Sequence, residues 1–224
     1  MKYPEDYINK IIQGDCLEVM KQMPDKCVDL VLTDPPYGIS QKSGGFRGKE
    51  LNFGSWDNLP EKQLEEVVLQ VIRISKGSIF IFYSAEQLSF IIKEFCSNNL
   101  LTRQLVWYKP SAFSMNADKM YMWSTENIVW AKHRKALFNP RLKRNLFICN
   151  TASERFHPTQ KPISLIKEFI LDSTKEGDLV LDIFNGSGTT TVAAKQLNRN
   201  FIGIEISEKY CEIARQRLRQ EVLL

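Results

Sequence analysis

Residues 178–207 read DLVLDIFNGSGTTTVAAKQLNRNFIGIEIS, and this stretch decides the fold class. An apolar run over 178–184 predicts a strand ending in Asp182-Ile183-Phe184. The chain then turns through Gly186 and Gly188. The Thr- and Ala-rich segment 189–198 predicts a helix, followed by a second apolar strand over 200–206. Two strands joined by a helix of this length lie parallel in one sheet. Glu205 falls 19 residues beyond Gly186. In nucleotide-binding sheets glycines let a ligand approach the backbone, and an acid about 20 residues further on accepts hydrogen bonds from ribose hydroxyls. The unit therefore predicts a ribose-containing ligand. Thr191 stands where the third glycine of a G-x-G-x-x-G fingerprint would be, which argues against a pyrophosphate at the helix N-terminus. A plain strand-to-helix turn with a solvated Glu205 is the competing interpretation of the same residues.

The same alternation runs through the rest of the 224 residues. Residues 10–13 predict a short strand leading into Gly14-Asp15, 17–23 a helical turn, and 28–33 a buried strand. Leu64, Val67, Val68, Val71 and Ile72 recur at helical spacing within 61–75. Further on, 78–83 (SIFIFY) predicts a strand, 86–97 a helix, and 101–108 a strand ended by Pro110, with 126–132 pairing back against it. The span 133–161 reads as irregular. A helix follows from about Pro162, a residue suited to a first helical turn, and 208–220 is the last helix. The pattern predicts an α/β fold with a mainly parallel sheet covered on both faces.

With 43% hydrophobic and 25% charged residues, the composition suits one folded domain over 1–224. No apolar run approaches the roughly 18 residues that span a bilayer. The start, MKYPEDYINK, lacks an apolar signal region, so a cytoplasmic protein without membrane contact is expected. Five widely separated cysteines without Cys-x-x-Cys spacing read as reduced thiols. The two histidines, His133 and His157, have no ligand spacing with a cysteine, so no metal site is expected.

A second strand end carries unusual chemistry. In VDLVLTDPPYG, residues 28–38, a buried run stops at Asp34, followed by Pro35, Pro36, Tyr37 and Gly38. In isolation Asp34 reads as a turn cap and the prolines as strand terminators. Beside the glycine loop the motif gains meaning. FNGSGTT after a strand, with a following G-I-E, resembles the S-adenosylmethionine loop of DNA amino-methyltransferases, and TDPPYG resembles the catalytic motif of that family. The catalytic motif comes first and the cofactor loop last, with HPTQKP at 157–162 just ahead of that loop, an order similar to the circularly permuted beta class. QGDCLEVM at 13–20, LVWYKP at 105–110 and TENIVWAKH at 125–133 extend the resemblance over residues 11–212. One departure is Ile183, where the family commonly has proline. It restores an N–H and loosens the backbone, yet remains compatible with a strand end.

The resemblance implies a Rossmann-like, mostly parallel seven-stranded sheet and S-adenosyl-L-methionine as methyl donor. By the same resemblance Asp15 and Cys16 lie near the cofactor adenine. Asp182, Phe184, Gly186, Ser187, Gly188, Thr189, Thr190 and Glu205 form its main pocket. His157, Thr159 and Lys161 approach the methionine end, with Lys161 a candidate for its carboxylate. The target is an exocyclic amino group, a poor nucleophile because its lone pair is delocalised into the ring. If Asp34 accepts one N–H and the Pro35 carbonyl the other, the lone pair is localised and can attack the methyl carbon directly, through positioning and electrostatics. Pro35 and Pro36 hold the carbonyl in place. Because the amino group is paired inside a duplex, the nucleotide must be flipped out, and Tyr37 would stack on it. Asp at the first motif position favours adenine-N6. Cytosine-N4 enzymes more often carry Ser there, and protein-glutamine relatives carry Asn. A cytosine-N4 enzyme and a catalytically inactive DNA-binding relative remain as alternatives, the latter opposed by intact Asp34, Tyr37, Gly186, Gly188 and Glu205.

Charge supports a polyanionic partner. Net charge is +4, but residues 132–161 hold eight Lys or Arg against Glu154, giving +7 there and −3 elsewhere. Two insertions are expected to face double-stranded DNA. The first is 40–58, with Lys42, Arg47 and Lys49; the second is 111–156, with Phe113, Met115, Tyr121 and Trp123. Asn116, Asn139 and Arg141 are candidates to read base edges. Trp107 and Trp130 lie inside strands and read as core. A homodimer is expected by resemblance alone.

Overall fold

The structure is a computed structural model that describes residues 2–36, 60–84, 87–111, 121–122, 124–139, 142–152 and 160–220. Among the described residues eight strands form one sheet: β1 (Lys10–Gln13), β2 (Val28–Thr33), β3 (Ser75–Tyr83), β4 (Leu101–Tyr108), β5 (Thr125–Lys132), β6 (Leu146–Ile148), β7 (Leu179–Asp182) and β8 (Asn200–Glu205). Their order is β1-β8-β7-β2-β3-β5-β4-β6. The pairs from β1 to β3 are parallel, β5 runs antiparallel between β3 and β4, and β6 is parallel to β4.

The sheet has one strand more than the seven expected. Residues 146–148, inside the span read as irregular, pair with 106–108 and cover an edge that would otherwise leave the N–H and C=O groups of β4 unpaired. Three residues are too few to display a two-residue alternation, so this strand has no signature of its own.

The strands read as continuous apolar runs because both faces are covered. Successive side chains point to opposite faces. Val31, Ile79, Ile81, Val129 and Leu181 pack against Leu17 and Met20 of α1 (Cys16–Lys21), Leu64, Val68 and Val71 of α2 (Glu61–Ile74), and Ile91 and Phe95 of α3 (Leu88–Ser97). Their neighbours Leu30, Leu32, Phe80, Phe82, Ile128 and Val180 face the other side. There they meet Leu165, Ile166 and Phe169 of α4 (Ile163–Ser173), Val192 and Ala193 of α5 (Thr189–Gln196), and Ala214 and Leu218 of α6 (Glu208–Gln220).

One topological feature positions the site. From β7 the chain winds through α5 outward to β8, whereas from β2 it winds through α2 in the opposite direction to β3. The order therefore reverses between the adjacent strands β7 and β2, and ligands of open α/β sheets bind at the carboxyl ends of strands flanking such a point. Asp34 and Asp182 occupy those two ends.

Candidate active site

Asp34 follows the last residue of β2, and its carboxylate is gripped by a lysine distant in sequence. Lys161 Nζ lies 2.5 Å from Asp34 Oδ2 and 3.2 Å from Glu126 Oε2. The side chain of Lys161 is 8% exposed, and its ammonium sits 4.8 Å from the ring centroid of Phe82. Burial alone would lower the Lys161 pKa, but the charges of Asp34 and Glu126 outweigh it and hold the ammonium above the ordinary lysine value. Glu126 also receives Lys109 Nζ on Oε1 at 3.2 Å. Burial would raise the Glu126 carboxyl; Lys161 and Lys109 together overcome that and leave it below its ordinary value.

Beside Asp34, Asp182 is 6% exposed at the end of β7. Its Oδ1 accepts from Thr33 Oγ1 at 3.0 Å and from the Phe184 N–H at 3.2 Å. Burial pushes its carboxyl up to about 7, against the lowering effect of hydrogen bonds from Thr190, Phe184 and Thr33, with the Asp34 charge adding to the rise. The first turn of α5 thus places Thr190 on Asp182, with Thr189 buried next to it.

The glycine loop joins β7 to α5 as the sequence predicts. Glu205 ends β8, with Oε2 accepting the Gly186 N–H at 2.8 Å and Oε1 the Ser207 N–H at 2.8 Å. Burial raises its carboxyl above the ordinary value. It is therefore a held carboxylate rather than a solvated one. Gly188 caps α5 with φ +87, and a Cβ there would come within 2.8 Å of Ala214 Cβ. Gly203, the glycine of the G-I-E motif, lets β8 pass under Asn185, whose amide would lie 2.7 Å from any Cβ at 203. Asn185 Oδ1 accepts from Thr191, while its Nδ2 is buried and has no protein partner in the described structure. A close-approach loop, a held carboxylate and an orphaned buried N–H donor suit a polar, ribose-bearing ligand.

The remaining expected residues fall around this edge. Gly14 N–H donates to the Glu205 carbonyl at 3.0 Å, which brings Asp15 next to β8; Asp15 itself caps α1 through Leu17 and Glu18. Cys16 is buried, and burial reinforced by the Asp15 charge pushes its thiol up to about 12, so it stays protonated at neutral pH. Phe184 packs against the core. Ser187 Oγ donates to Gln160 Oε1 at 3.3 Å, and the Ser187 carbonyl accepts from Arg217 at 2.7 Å. Adjacent residues therefore reach both centres: Gln160 touches the glycine loop, and Lys161 points to Asp34. Pro35 and Pro36 continue from Asp34 at the strand end.

Tyr37, His157 and Thr159 lie outside the described residues, as do Lys42, Arg47, Lys49, Phe113, Met115, Asn116, Trp123 and Arg141. Tyr121 is fully exposed, and Trp107 is buried as expected, donating to the Cys149 carbonyl at 2.8 Å. Asn139 is engaged elsewhere, its amide donating to the Leu171 and Thr174 carbonyls at 2.5 and 3.1 Å. The basic span is also partly spent inside the fold. Lys132 bonds three carbonyls, Arg134 bonds Asn99, and Lys143 pairs with Asp172 and Glu168. Glu126 and Lys109 sat unassigned within TENIVWAKH and LVWYKP; an acid opening a strand was their only signal. A cleft of about 810 Å³ lined by Lys10, Lys195, Arg215 and Arg219 lies at the amino ends of β1 and β8, away from this constellation.

Known proteins resemble this chain in sequence and in fold. The sequence profile described as "DNA methylase", of N6 and N4 type, matches residues 28–145 and 137–216. The chain is 32% identical to the type II methyltransferase M.HinfI of Haemophilus influenzae, over 96% of this chain and 69% of that one. It is 31% identical to the type II methyltransferase M2.MboI of Moraxella bovis, over 92% and 86%. The crystal structure of the M1.HpyAVI–SAM complex superposes with a TM-score of 0.73 at 30% identity, covering 93% of this chain and 98% of that one. The cytosine-N4-specific PvuII DNA methyltransferase shares the fold at 20% identity, with a TM-score of 0.72 over 92% and 85%. Among the described residues no helix is long and apolar enough to cross a membrane.

Proposed function

The chain belongs to the DNA methylase family of N6 and N4 amino-methyltransferases, and from that premise we propose that its target is the N6 amino group of adenine. As a site-specific, S-adenosylmethionine-dependent DNA methyltransferase it needs two adjacent centres, one for the methyl donor and one for the amino group. When bound, S-adenosylmethionine supplies a methyl carbon made electrophilic by its sulfonium. The residues present fit it. Glu205 offers carboxylate oxygens to ribose hydroxyls, Gly186 and Gly188 allow close approach, Asn185 has an unpartnered buried Nδ2, and Asp15 and Cys16 flank β8.

The observation that carries the adenine reading is Asp34 itself, an acid where cytosine-N4 enzymes more often have Ser, standing at the switch-point edge beside the glycine loop. Asp34 accepts one N–H of the amino group and the Pro35 carbonyl the other, which draws the nitrogen toward tetrahedral geometry and concentrates its lone pair. Pro36 stiffens the carbonyl and Tyr37 stacks on a base swung out of a DNA duplex. Exposed Tyr121 suits the DNA side. Cytosine-N4 is the second reading, because the matching family spans both N6 and N4 amino-methyltransferases. DNA methylated in vitro and digested to nucleosides separates the two: N6-methyladenine is expected, and N4-methylcytosine alone overturns the proposal.

A further inference from the structure

Four charged side chains alternate along the carboxyl edge of the sheet: Asp34, Lys161, Glu126 and Lys109. They come from the end of β2, the segment before α4, the start of β5 and the residue after β4. Both lysines are largely enclosed, with side-chain exposures of 8% and 11%, and each lies over an aromatic ring, Phe82 for Lys161 and Trp107 for Lys109. An enclosed ammonium is costly unless paired, and each of these has a carboxylate within 3.2 Å. The chain of charges ends on the acid that receives the base.

We propose that Lys161 and Glu126 are positioning residues for Asp34, with Lys109 anchoring Glu126. The inference rests on the methyl-transfer reading above. By gripping one oxygen of Asp34, Lys161 fixes the plane of the carboxylate before a base arrives, so that no reorientation is needed at the moment of transfer. Glu126 divides the charge of Lys161. Its Oε2 faces the ammonium at 3.2 Å without a well-aligned hydrogen bond, an electrostatic hold that leaves the short bond to Asp34. If Glu126 lost its charge, Lys161 would bear more strongly on Asp34 and compete with the amino group for that carboxylate. Lys161 thus acts on the amino-group centre, while its neighbour Gln160 touches the donor loop.

Single-turnover methyl transfer and calorimetric binding of S-adenosylmethionine test the roles together. Glu126→Gln is expected to slow transfer by about tenfold or more, with cofactor affinity within about twofold of wild type, and Glu126→Asp to recover part of the rate. A readout independent of activity is the lysine ammonium signal in ¹⁵N–¹H spectra. The Lys161 resonance, identified by its loss in Lys161→Met, should shift in both Asp34→Asn and Glu126→Gln. A resonance unmoved by either change, a Glu126→Gln enzyme with wild-type rate, or cofactor affinity falling in step with rate overturns the inference. In the last case Lys161 serves the donor carboxylate instead. A wild-type protein that methylates no DNA overturns the underlying reading and this inference with it, whereas an active wild type with unaffected variants overturns the inference alone.

Discussion

Gly188→Ala tests whether the donor loop depends on backbone geometry that only glycine supplies. Gly188 opens α5 at φ +87 and ψ 25, a left-handed conformation in which a Cβ crowds its own carbonyl. An L-residue there costs ~1–2 kcal/mol. The added Cβ would also lie 2.8 Å from Ala214 Cβ, 3.2 Å from Ala214 Cα and 3.2 Å from Thr191 Oγ1. Ala214 is buried in the middle of α6, so its atoms cannot swing aside as a flexible chain end would. Overpacking of this kind costs ~1–3 kcal/mol. The total is about 2–5 kcal/mol, and in a protein of this size each 1 kcal/mol lowers Tm by about 2–4 °C. A fall of roughly 4–20 °C in calorimetric Tm is therefore expected, with weaker S-adenosylmethionine binding. Ala214→Gly removes the atom in the way while costing ~1 kcal/mol as a helical glycine. The double variant should then be less destabilised than the two single changes added together, by ~1–2 kcal/mol. A Gly188→Ala protein melting within about 2 °C of wild type, or strict additivity in the cycle, refutes the reasoning.

Asp34→Ala should abolish methyl transfer while leaving S-adenosylmethionine binding largely intact; unchanged transfer on a DNA substrate would remove Asp34 from the role assigned to it. Asp182 gives a pH signature. Its carboxyl lies at about 7 in the folded protein against an ordinary 3.8, so the native state keeps a proton that the unfolded chain releases near pH 4. That contribution is fully present below about pH 4 and is lost as pH rises through about 7, at most ~4 kcal/mol. Asp182→Asn cannot ionise, so the Tm difference between variant and wild type should move in the variant's favour across this window; parallel Tm curves would show that Asp182 is not perturbed.

Much of the fold was legible because its signals are local. Strand-length apolar runs separated by helices dictate a parallel sheet covered on both faces. The alternate packing of Ile79 and Ile81 against Phe80 and Phe82 bears that out. That Glu205, 19 residues from Gly186, returns to the glycine loop was readable for the same reason, since one strand-helix-strand unit carries both. β6 was not legible: three residues pair only because the edge of β4 lies beside them. Asn139 looked like a base reader, and its engagement with the end of α4 depends on two segments meeting.

What the sequence determined by itself was the identity and order of two motifs, an acid-proline run after β2 and a glycine loop after β7, and through their family resemblance a methyl donor and an amino acceptor. Tertiary structure alone decided that β2 and β7 are neighbours where the winding of the sheet reverses, which brings Asp34 and Asp182 to one edge. It also decided that Lys161, 127 residues from Asp34, closes on that acid between Glu126 and Phe82. The physical reason is range. Hydrophobic periodicity and turn chemistry act over a few residues and leave a trace in the chain, whereas the pairing of enclosed charges depends on which strand ends the fold places side by side.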